Sequence, residues 1–351
     1  MVIKLFEGNV TLSWLDNYNS TYFIAEAGLN HNGQIDLAHE LIDIACRAGA
    51  QAIKFQKRTV NELAIKSVLD AKDSRFPFLG QTYREIRESL EFSFEEYKEL
   101  QRHATDLKLD FIVTPFDLKA LDFLEPLGLK FYKIASHSVR NLDLIKAISE
   151  SGKAVIMSTG MSTLEEIDNA VSILIKKGVD LCLLHCVSSY PTPDEDVNLK
   201  VIETLRQRYS LPIGYSGHEV DDLATSTSIA LGARVIERHI TKSRLLEGFD
   251  HKLSLEESEL QLLINRIRRI EKVLGSDKKS ILNSENIARD KYNVSMVSAR
   301  ALNKGSFLQL GDIAWKNPGT GIPRVQLDYY LDRELCVDID LDVLIKPEMF
   351  K

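Results

Sequence analysis

The chain has 351 residues, of which 44% are hydrophobic and 27% are charged, as is typical of globular proteins. Its formal net charge of -7 leaves no surplus of basic residues to neutralise phosphates, which argues against a nucleic-acid partner. No apolar run approaches the ~18 residues of a membrane span, and the amino terminus lacks the pattern of a signal peptide. We therefore expect a cytoplasmic protein with no membrane partner, and the four scattered cysteines fit a reducing compartment.

The first predicted elements after an amino-terminal extension (residues 1–20) are a strand, a polar loop, a helix and a second strand, within Tyr22 to Gln56. The first strand stops on a carboxylate, Glu26, and the second strand carries Lys54. In a parallel sheet the carboxyl ends of neighbouring strands share one rim, and α/β enzymes place their chemistry at this rim.

Strand and helix patterns then alternate along the chain. Strands are predicted at 22–26, 50–55, 110–113, 130–134, 154–158, 180–185, 211–215 and 234–239. Helices are predicted at 36–48, 92–107, 118–126, 141–151, 163–177, 197–208, 220–232 and 256–274. Eight such pairs in about 250 residues predict a (β/α)8 TIM barrel. A doubly wound open sheet is the alternative, and it is less favoured because no glycine-rich dinucleotide fingerprint follows any strand.

Other local signals refine this prediction. Thr163 and Ser254 precede carboxylates at two helix starts and predict hydroxyl caps there. The polar segment 64–91 breaks the period and predicts a functional loop with a short helix. The barrel domain is predicted to span 1–275, followed by a polar linker at 276–290 and a small β-rich domain at 291–351 with a strand at Cys336–Asp340.

Polar residues end almost every predicted barrel strand. They are Glu26, Lys54, Gln56, Thr114, Lys133, Ser136, Ser158, Thr159, His185, Ser188, Tyr190, Ser216, His218, Glu237 and His239. Two ammonium groups inside one barrel would repel each other without an anion between them, so Lys54 and Lys133 predict a site for a phosphate or carboxylate ligand. The hydroxyl groups would donate hydrogen bonds to the oxygens of that ligand.

Two histidines at the ends of adjacent strands, His218 and His239, could hold a divalent metal as a Lewis acid with most coordination positions open. The alternative is a structural ion pair with Glu26 or Glu237. His185, inside the apolar run LCLLHC, is interpreted as a core histidine rather than a ligand.

The motifs that carry these residues resemble the sialic acid synthase family. In chain order they are IAEAGLNHNG, AGAQAIKFQ, VTPFD, YKIAS, MSTGM, LLHCVSSYPTPDEDVNL, IGYSGHE, ERHIT and GFDHKLSLE, and the carboxy-terminal VSARALNKG and KNPGTGIP resemble its antifreeze-like (SAF) domain. The resemblance implies a condensation of phosphoenolpyruvate with an open-chain N-acetylated hexosamine, typically N-acetylmannosamine. The products would be a sialic-acid-like nonulosonic acid and phosphate, for the synthesis of surface polysaccharides or glycoconjugates.

The resemblance also implies roles for individual residues. Phosphoenolpyruvate would be held by Lys54, Thr114, Lys133, Ser136, Ser158 and Ser216, and manganese or magnesium by His218 and His239. Glu26 would order the metal-bound water, and Gln56, Tyr190 and Asp250 would line the site. Family members are dimers in which the SAF domain of one chain covers the barrel mouth of the other, and Tyr292 matches an aromatic residue that reaches across. We therefore expect a domain-swapped homodimer.

Three positions depart from the residues usual in the family, namely Ser138, Ser188 and Asn317. The family pattern places them facing the sugar or the site opening, which favours a modified hexose, such as a diacetamido-trideoxy sugar, as the acceptor. A 6-phosphate acceptor would need additional basic groups, for which Arg75 is a candidate. Two other functions stay open at this point: a Schiff-base aldolase that uses Lys54 or Lys133, and a sugar-binding relative without catalysis.

Overall fold

The computed structural model describes residues 14, 15 and 18–351, so most of the predicted amino-terminal extension lies outside the described residues. The chain forms two compact units, one ending at Gly275 and the other spanning Ser276–Lys351. In the described part of the chain, no helix combines the length and the apolar character that crossing a membrane requires.

The first unit is a closed barrel of eight parallel strands, each hydrogen-bonded to the next, with the eighth returning to the first. This confirms the predicted (β/α)8 barrel. The strands are β1 (Tyr22–Gly28), β2 (Ala52–Lys57), β3 (Asp110–Pro115), β4 (Phe131–Ile134), β5 (Ala154–Ser158), β6 (Leu181–Cys186), β7 (Ile213–Gly217) and β8 (Val235–His239).

Helices alternate with these strands, and the longer ones each bury an apolar face against the outside of the barrel. In the first unit they are α1 (Ile35–Ala48), α2 (Val60–Leu63), α3 (Lys66–Leu69), α4 (Tyr83–Glu88), α5 (Phe94–Asp106), α6 (Leu118–Leu124), α7 (Leu142–Glu150), α8 (Leu164–Lys176), α9 (Asp194–Val197), α10 (Val201–Tyr209), α11 (Leu223–Ala230) and α12 (Glu257–Leu274). The segment 64–91 therefore holds two short helices, α3 and α4, joined by a bridge between Lys72 and Thr82.

The structure confirms one of the two predicted helix caps. Thr163 caps α8, accepting from the amide of Glu166, whose carboxylate accepts in turn from the amide of Thr163. The prediction for Ser254 is wrong, because the cap of α12 is Glu256. The hydroxyl of Ser254 is buried and bonded to Asn30 instead, which removes it from the helix end.

The barrel interior is apolar at one end and polar at the other. Side chains alternate along each strand, so that Tyr22, Ile24 and Glu26 all point into the barrel. The inward residues at the amino ends of the strands form a buried cluster. It comprises Tyr22, Ile24, Ala52, Ile112, Phe131, Ile156, Cys182, Leu184 and Val235, together with Leu15. This apolar cluster fills the barrel at the amino ends of the strands. Toward the carboxyl ends, the next inward residue on most strands is polar.

The second unit contains α13 (Asn286–Tyr292), an antiparallel pair β9 (Ser295–Ser298) and β10 (Ile313–Lys316), and α14 (Leu327–Tyr330). Short 3-10 turns occur at Glu125–Leu127, Ser136–Ser138, His251–Leu253, Asn283–Glu285, Leu310–Asp312, Arg324–Gln326 and Pro347–Met349 in the two units. The segment Cys336–Asp340 forms an isolated bridge, Leu302 to Ile339, rather than the predicted strand. A small core that includes Met296, Leu335 and Ile345 holds this unit together.

Candidate active site

A cavity of about 300 Å³ opens at the carboxyl ends of the barrel strands. Its volume lies at the lower end of the range for small-molecule sites. Thirteen of the predicted site residues line it: Glu26, Lys54, Gln56, Thr114, Lys133, Ser136, Ser158, Ser188, Tyr190, Ser216, His218, His239 and Asp250. The remaining two, Tyr292 and Asn317, belong to the second unit, where both are exposed and the Asn317 amide donates to the Tyr292 carbonyl at 3.2 Å.

The strand registers explain why these residues meet. Glu26 on β1 stands opposite Lys54 on β2 and His239 on β8. Two residues before His239 on the same strand, Glu237 stands opposite Ser216 on β7. The inward side chains at this end of the barrel therefore bring together two carboxylates, an ammonium group, a hydroxyl and an imidazole.

The centre of the site is a buried chain of alternating charges. The Nζ atom of Lys54 lies 2.8 Å from Glu26 Oε2 and 3.6 Å from Glu237 Oε1. Glu237 Oε2 lies 3.8 Å from the Nζ atom of Lys133. The anion expected between the two lysines is thus present in the protein itself, as the carboxylate of Glu237.

The pKa values respond to this arrangement in different directions. Burial opposes ionisation of Glu237, but Lys133 and Lys54 outweigh burial and hold its pKa at about 2. Burial also acts against the charge on Lys54, yet Glu237 and Glu26 raise its pKa above the ordinary value. Lys133 has weaker pairing, and burial together with the charge of Lys54 lowers its pKa.

Hydroxyl groups surround the two ammonium groups. Lys133 Nζ donates to Ser158 Oγ at 2.6 Å, and Lys54 Nζ approaches Thr114 Oγ1 at 3.4 Å. Ser216 Oγ donates to Glu237 at 3.1 Å. Two cations beside several reorientable hydroxyls can bind the oxygens of an anionic ligand through charge-assisted hydrogen bonds.

The two predicted metal ligands lie side by side. The rings of His218 and His239 have centroids 5.5 Å apart, and Tyr190 packs 4.1 Å from the ring of His218. His218 Nδ1 donates to the Val187 carbonyl at 2.9 Å, which leaves Nε2 free of its proton when the ring is neutral. His239 Nδ1 is buried without a hydrogen bond among the described residues, 3.8 Å from Asp250 Oδ2.

The histidine pair offers two side-chain nitrogens that could bind a metal ion. In the described part of the chain, no group of three or more His, Cys, Asp or Glu side chains is arranged to hold a metal ion. Burial lowers the pKa of His239, which favours the neutral ring that binds metals. For His218, burial acts in the same direction, but the neighbouring Cys186 thiol outweighs it and raises the pKa.

Several expectations are corrected here. Ser138 is buried against His137 and does not line the cavity, whereas His137 does. Arg75 is exposed and its guanidinium is bound to Asp73. His185 points away from the cavity mouth and its Nε2 bonds the Val197 carbonyl at 2.7 Å, in agreement with its interpretation as a core residue.

Several polar residues that line the cavity were not among the predicted site residues, including Arg58, Arg87, His137, Cys186 and Glu237. Alternation along the strands could have found two of them. Glu237 is two residues before His239, and Cys186 is two residues after the inward-facing Leu184, so both point into the barrel.

Comparison with known proteins gives a consistent picture. Residues 41–279 match the model of the NeuB family. The chain is 41% identical to an uncharacterized protein of Methanocaldococcus jannaschii, over 93% of each chain. It is 36% identical to an N,N'-diacetyllegionaminic acid synthase of Campylobacter jejuni, over 93% of this chain and 99% of that protein.

Two further relatives extend this picture. An N-acetylneuraminate-9-phosphate synthase of Drosophila melanogaster is 38% identical over 85% of this chain and 87% of its own length. Among solved structures, an N-acetylneuraminic acid synthetase of Leptospira borgpetersenii matches with a TM-score of 0.67 and 38% identity, covering 77% of this chain and 90% of that chain.

Proposed function

This chain belongs to the NeuB family, and from that membership we propose that it condenses phosphoenolpyruvate with an open-chain N-acetylated hexosamine. The products are a nine-carbon 2-keto acid of the nonulosonic type and inorganic phosphate. The observation that carries the proposal is the paired Lys54 and Lys133, ringed by hydroxyls, in the same cavity as the histidine pair. The relatives named as legionaminic acid and neuraminate-phosphate synthases support the reaction type.

Phosphoenolpyruvate is the ligand proposed for the lysines. Lys54 and Lys133 donate charge-assisted hydrogen bonds to its carboxylate and phosphate, and the surrounding hydroxyls of Thr114, Ser158 and Ser216 donate to its oxygens. Ser136 and Gly160 complete this wall, since the amide of Gly160 donates to Ser136 Oγ at 3.0 Å. Donors placed around the phosphate in this way stabilise the negative charge that develops on it as it departs.

The proposed metal ligands are His218 and His239, with the remaining positions left to water and substrate oxygens. The local charges favour such an ion, because the two lysines are already balanced by Glu26 and Glu237 and an incoming trianion would otherwise stay uncompensated. Bound manganese or magnesium would polarise the aldehyde of the acceptor sugar.

Glu26 is proposed to bind and deprotonate the water molecule that completes the reaction. After C3 of phosphoenolpyruvate bonds to the sugar carbon, C2 becomes electron-poor and takes up the oxygen of a water molecule. Glu26 is 1% exposed and faces His239 across the β1–β8 register, so it can hold that water and accept its proton. Gln56, which donates to Glu26, fixes the orientation of the carboxylate.

The acceptor sugar is proposed to lie on the mouth side of this layer, against Gln56, Ser188, Tyr190 and Asp250, all of which line the cavity. We further propose that the protein acts as a homodimer in which the second unit of one chain, through Tyr292 and Asn317, completes the barrel mouth of its partner. The family resemblance supports this arrangement.

Metal dependence is tested by following phosphate release from phosphoenolpyruvate and a panel of N-acetylated hexosamines, including diacetamido sugars. A chelator is expected to abolish release and manganese to restore it. His218→Ala and His239→Ala are each expected to lower turnover by about 100-fold or more while leaving the circular dichroism unchanged. His39→Ala, a half-buried histidine between α1 and α5, is the matched control with normal turnover. Near-normal activity of either cavity variant in manganese would show that the metal assignment is wrong.

A Schiff-base aldolase is the second candidate, and one observation favours it. Burial and the neighbouring Lys54 lower the pKa of Lys133, and this is how enzymes activate a nucleophilic amine. Borohydride treatment in the presence of substrate distinguishes the two reactions. A covalent adduct on Lys133 would support the aldolase, whereas its absence together with chelator-sensitive turnover would support the metal-dependent condensation.

A further inference from the structure

We propose that Arg58 and Arg87 form an anion-binding subsite on the mouth side of the cavity, and that the acceptor sugar carries an anionic group that binds there. The inference rests on the proposed function for the identity of the acceptor. The chemical class of that group is a phosphate ester or a carboxylate, since both match the paired donors of a guanidinium.

The two guanidinium groups have no anion of their own. Arg58 is 8% exposed, yet its Nη1 atom has no hydrogen-bond acceptor among the described residues, and the same holds for Nε and Nη1 of Arg87. Neither residue forms an ion pair in the described part of the chain. Buried donors without partners are costly, so their presence on a cavity wall indicates a ligand that satisfies them.

The neighbouring carboxylates are engaged elsewhere. Glu91 accepts from Lys57 Nζ at 2.7 Å and from the backbone amide of Arg58 at 3.2 Å, not from the Arg58 guanidinium. Asp73 is bound to Arg75. Neither guanidinium group therefore has a carboxylate within ion-pair distance among the described residues. Burial together with the charge of Arg87 outweighs the more distant Glu91 and lowers the pKa of Arg58 to about 10.

Aromatic rings hold both groups in place. The guanidinium of Arg58 lies 3.7 Å from the ring centroid of Phe116, and that of Arg87 lies 4.5 Å from the ring centroid of Phe249. Stacking fixes a guanidinium plane and leaves its edge free to donate two parallel hydrogen bonds. The Arg58 Nη2 atom also donates to the side chain of Gln56, which adds a further restraint.

Arg58 and Arg87 lie at a different depth in the cavity from Lys54 and Lys133. Lys54 and Gln56 are alternate residues of β2, and Arg58 follows just beyond the end of this strand, so the backbone of Arg58 lies nearer the mouth than that of Lys54. The Arg58 guanidinium reaches Gln56 and forms no ion pair with Glu26 or Glu237. Phe116 lies two residues beyond Thr114 in the same way on β3. Since the proposed function gives the deeper lysines to phosphoenolpyruvate, we assign the two arginines nearer the mouth to the second ligand of the reaction, the acceptor.

The test compares one N-acetylhexosamine in three forms: neutral, 6-phosphorylated, and oxidised to the 6-carboxylate. With phosphoenolpyruvate and manganese, we expect one charged form to have a kcat/KM at least about tenfold above the neutral form. The Arg87→Gln and Arg58→Gln variants should lower the charged-to-neutral ratio by about tenfold to a hundredfold. Arg58→Lys, which keeps the charge, should retain part of the preference.

Arg84→Gln is the matched control, because Arg84 lies on the same helix as Arg87 but binds Asp70. Its charged-to-neutral ratio should equal that of the unaltered protein. An unaltered protein without preference for a charged acceptor, or variants that lower both activities equally, would overturn the subsite. The phosphate and carboxylate arms identify which anion binds.

Direct binding separates this inference from the reaction itself. If no acceptor yields product, the proposed function fails, and calorimetric titration of the neutral, 6-phosphorylated and 6-carboxylate sugars then decides the subsite. One charged form should bind at least about tenfold more tightly than the neutral form, and Arg87→Gln but not Arg84→Gln should remove the difference. Equal binding of all three sugars, or equal loss in both variants, would overturn it.

Discussion

At the scale of single residues, opposing electrostatic effects determine the pKa of Lys133. It is 2% exposed and lies next to the like charge of Lys54, and both effects disfavour its ammonium form. Glu237, 3.8 Å away, acts in the other direction but is shared with Lys54. The pKa of Lys133 is therefore lower than 10.5, the ordinary pKa of a lysine, and Lys133 loses its charge at a lower pH.

This predicts a pH dependence for the binding of phosphoenolpyruvate. A lysine is charged below its pKa, so the attraction of Lys133 for the anion is present below its lowered pKa and is lost as the pH rises through that value. The pKa of Lys54 is raised, so this residue keeps its charge over the same window. Affinity for phosphoenolpyruvate, titrated between neutral pH and pH 10.5, should therefore fall before the ordinary lysine value is reached.

The Lys133→Arg variant is the control, since an arginine stays charged throughout this range and should give a flat profile. Lys133→Ala should weaken phosphoenolpyruvate binding more than sugar binding. Identical profiles for the unaltered protein and Lys133→Arg, or a larger effect of Lys133→Ala on the sugar, would contradict the role given to Lys133.

Single residues at the rim were predictable where strand position alone decided their direction. Glu26, Lys54 and His239 end recognisable strands, and the register then brings them together. The bridging role of Glu237 was not predictable, because it depends on the distances to two lysines on other strands. The unpaired guanidinium nitrogens of Arg58 and Arg87 were not predictable either, because a lack of nearby acceptors depends on the tertiary structure and cannot be read from the sequence.

At the scale of elements, the barrel followed from local patterns. Strands of apolar, β-branched residues and helices with one apolar face occur in the chain at the observed places, and the ends shift by a few residues. Helix starts were less predictable where two candidate caps adjoin. Ser254 and Glu256 both stand before α12, and the tertiary bond from Asn30 to Ser254 leaves the cap to Glu256.

The capping box of α8 gives a stability prediction. Thr163→Ala removes the side-chain oxygen that accepts from the Glu166 amide at 3.3 Å, and should lower the free energy of unfolding by about 1 kcal/mol. Urea unfolding of the barrel measures the change. Ser162→Ala is the matched control, because this adjacent hydroxyl bonds the Gly160 carbonyl and does not cap the helix. Equal losses in the two variants would show that Thr163 has no particular capping role.

At the scale of the whole molecule, the proposed site residues are divided unevenly between the two units. Thirteen line the barrel cavity, while Tyr292 and Asn317 belong to the unit after Gly275. Within one barrel the cavity already holds the anion site and the histidine pair. Residues of the second unit would therefore act on access and on the acceptor, and the proposed dimer supplies them from the partner chain.

Mixing two inactive variants tests this exchange. Lys133→Ala damages the barrel site and leaves the second unit intact, whereas Tyr292→Ala combined with Asn317→Ala does the reverse. In a swapped dimer, a mixed pair has one intact site, formed by the undamaged barrel of one chain and the undamaged second unit of the other. Equal amounts, unfolded and refolded together, should recover about a quarter of the unaltered activity, since half of the dimers are mixed and each has one working site of two. Each variant refolded alone is the control. If a barrel works only with the second unit of its own chain, mixing restores nothing, so a mixture no more active than its parts would contradict the swapped arrangement.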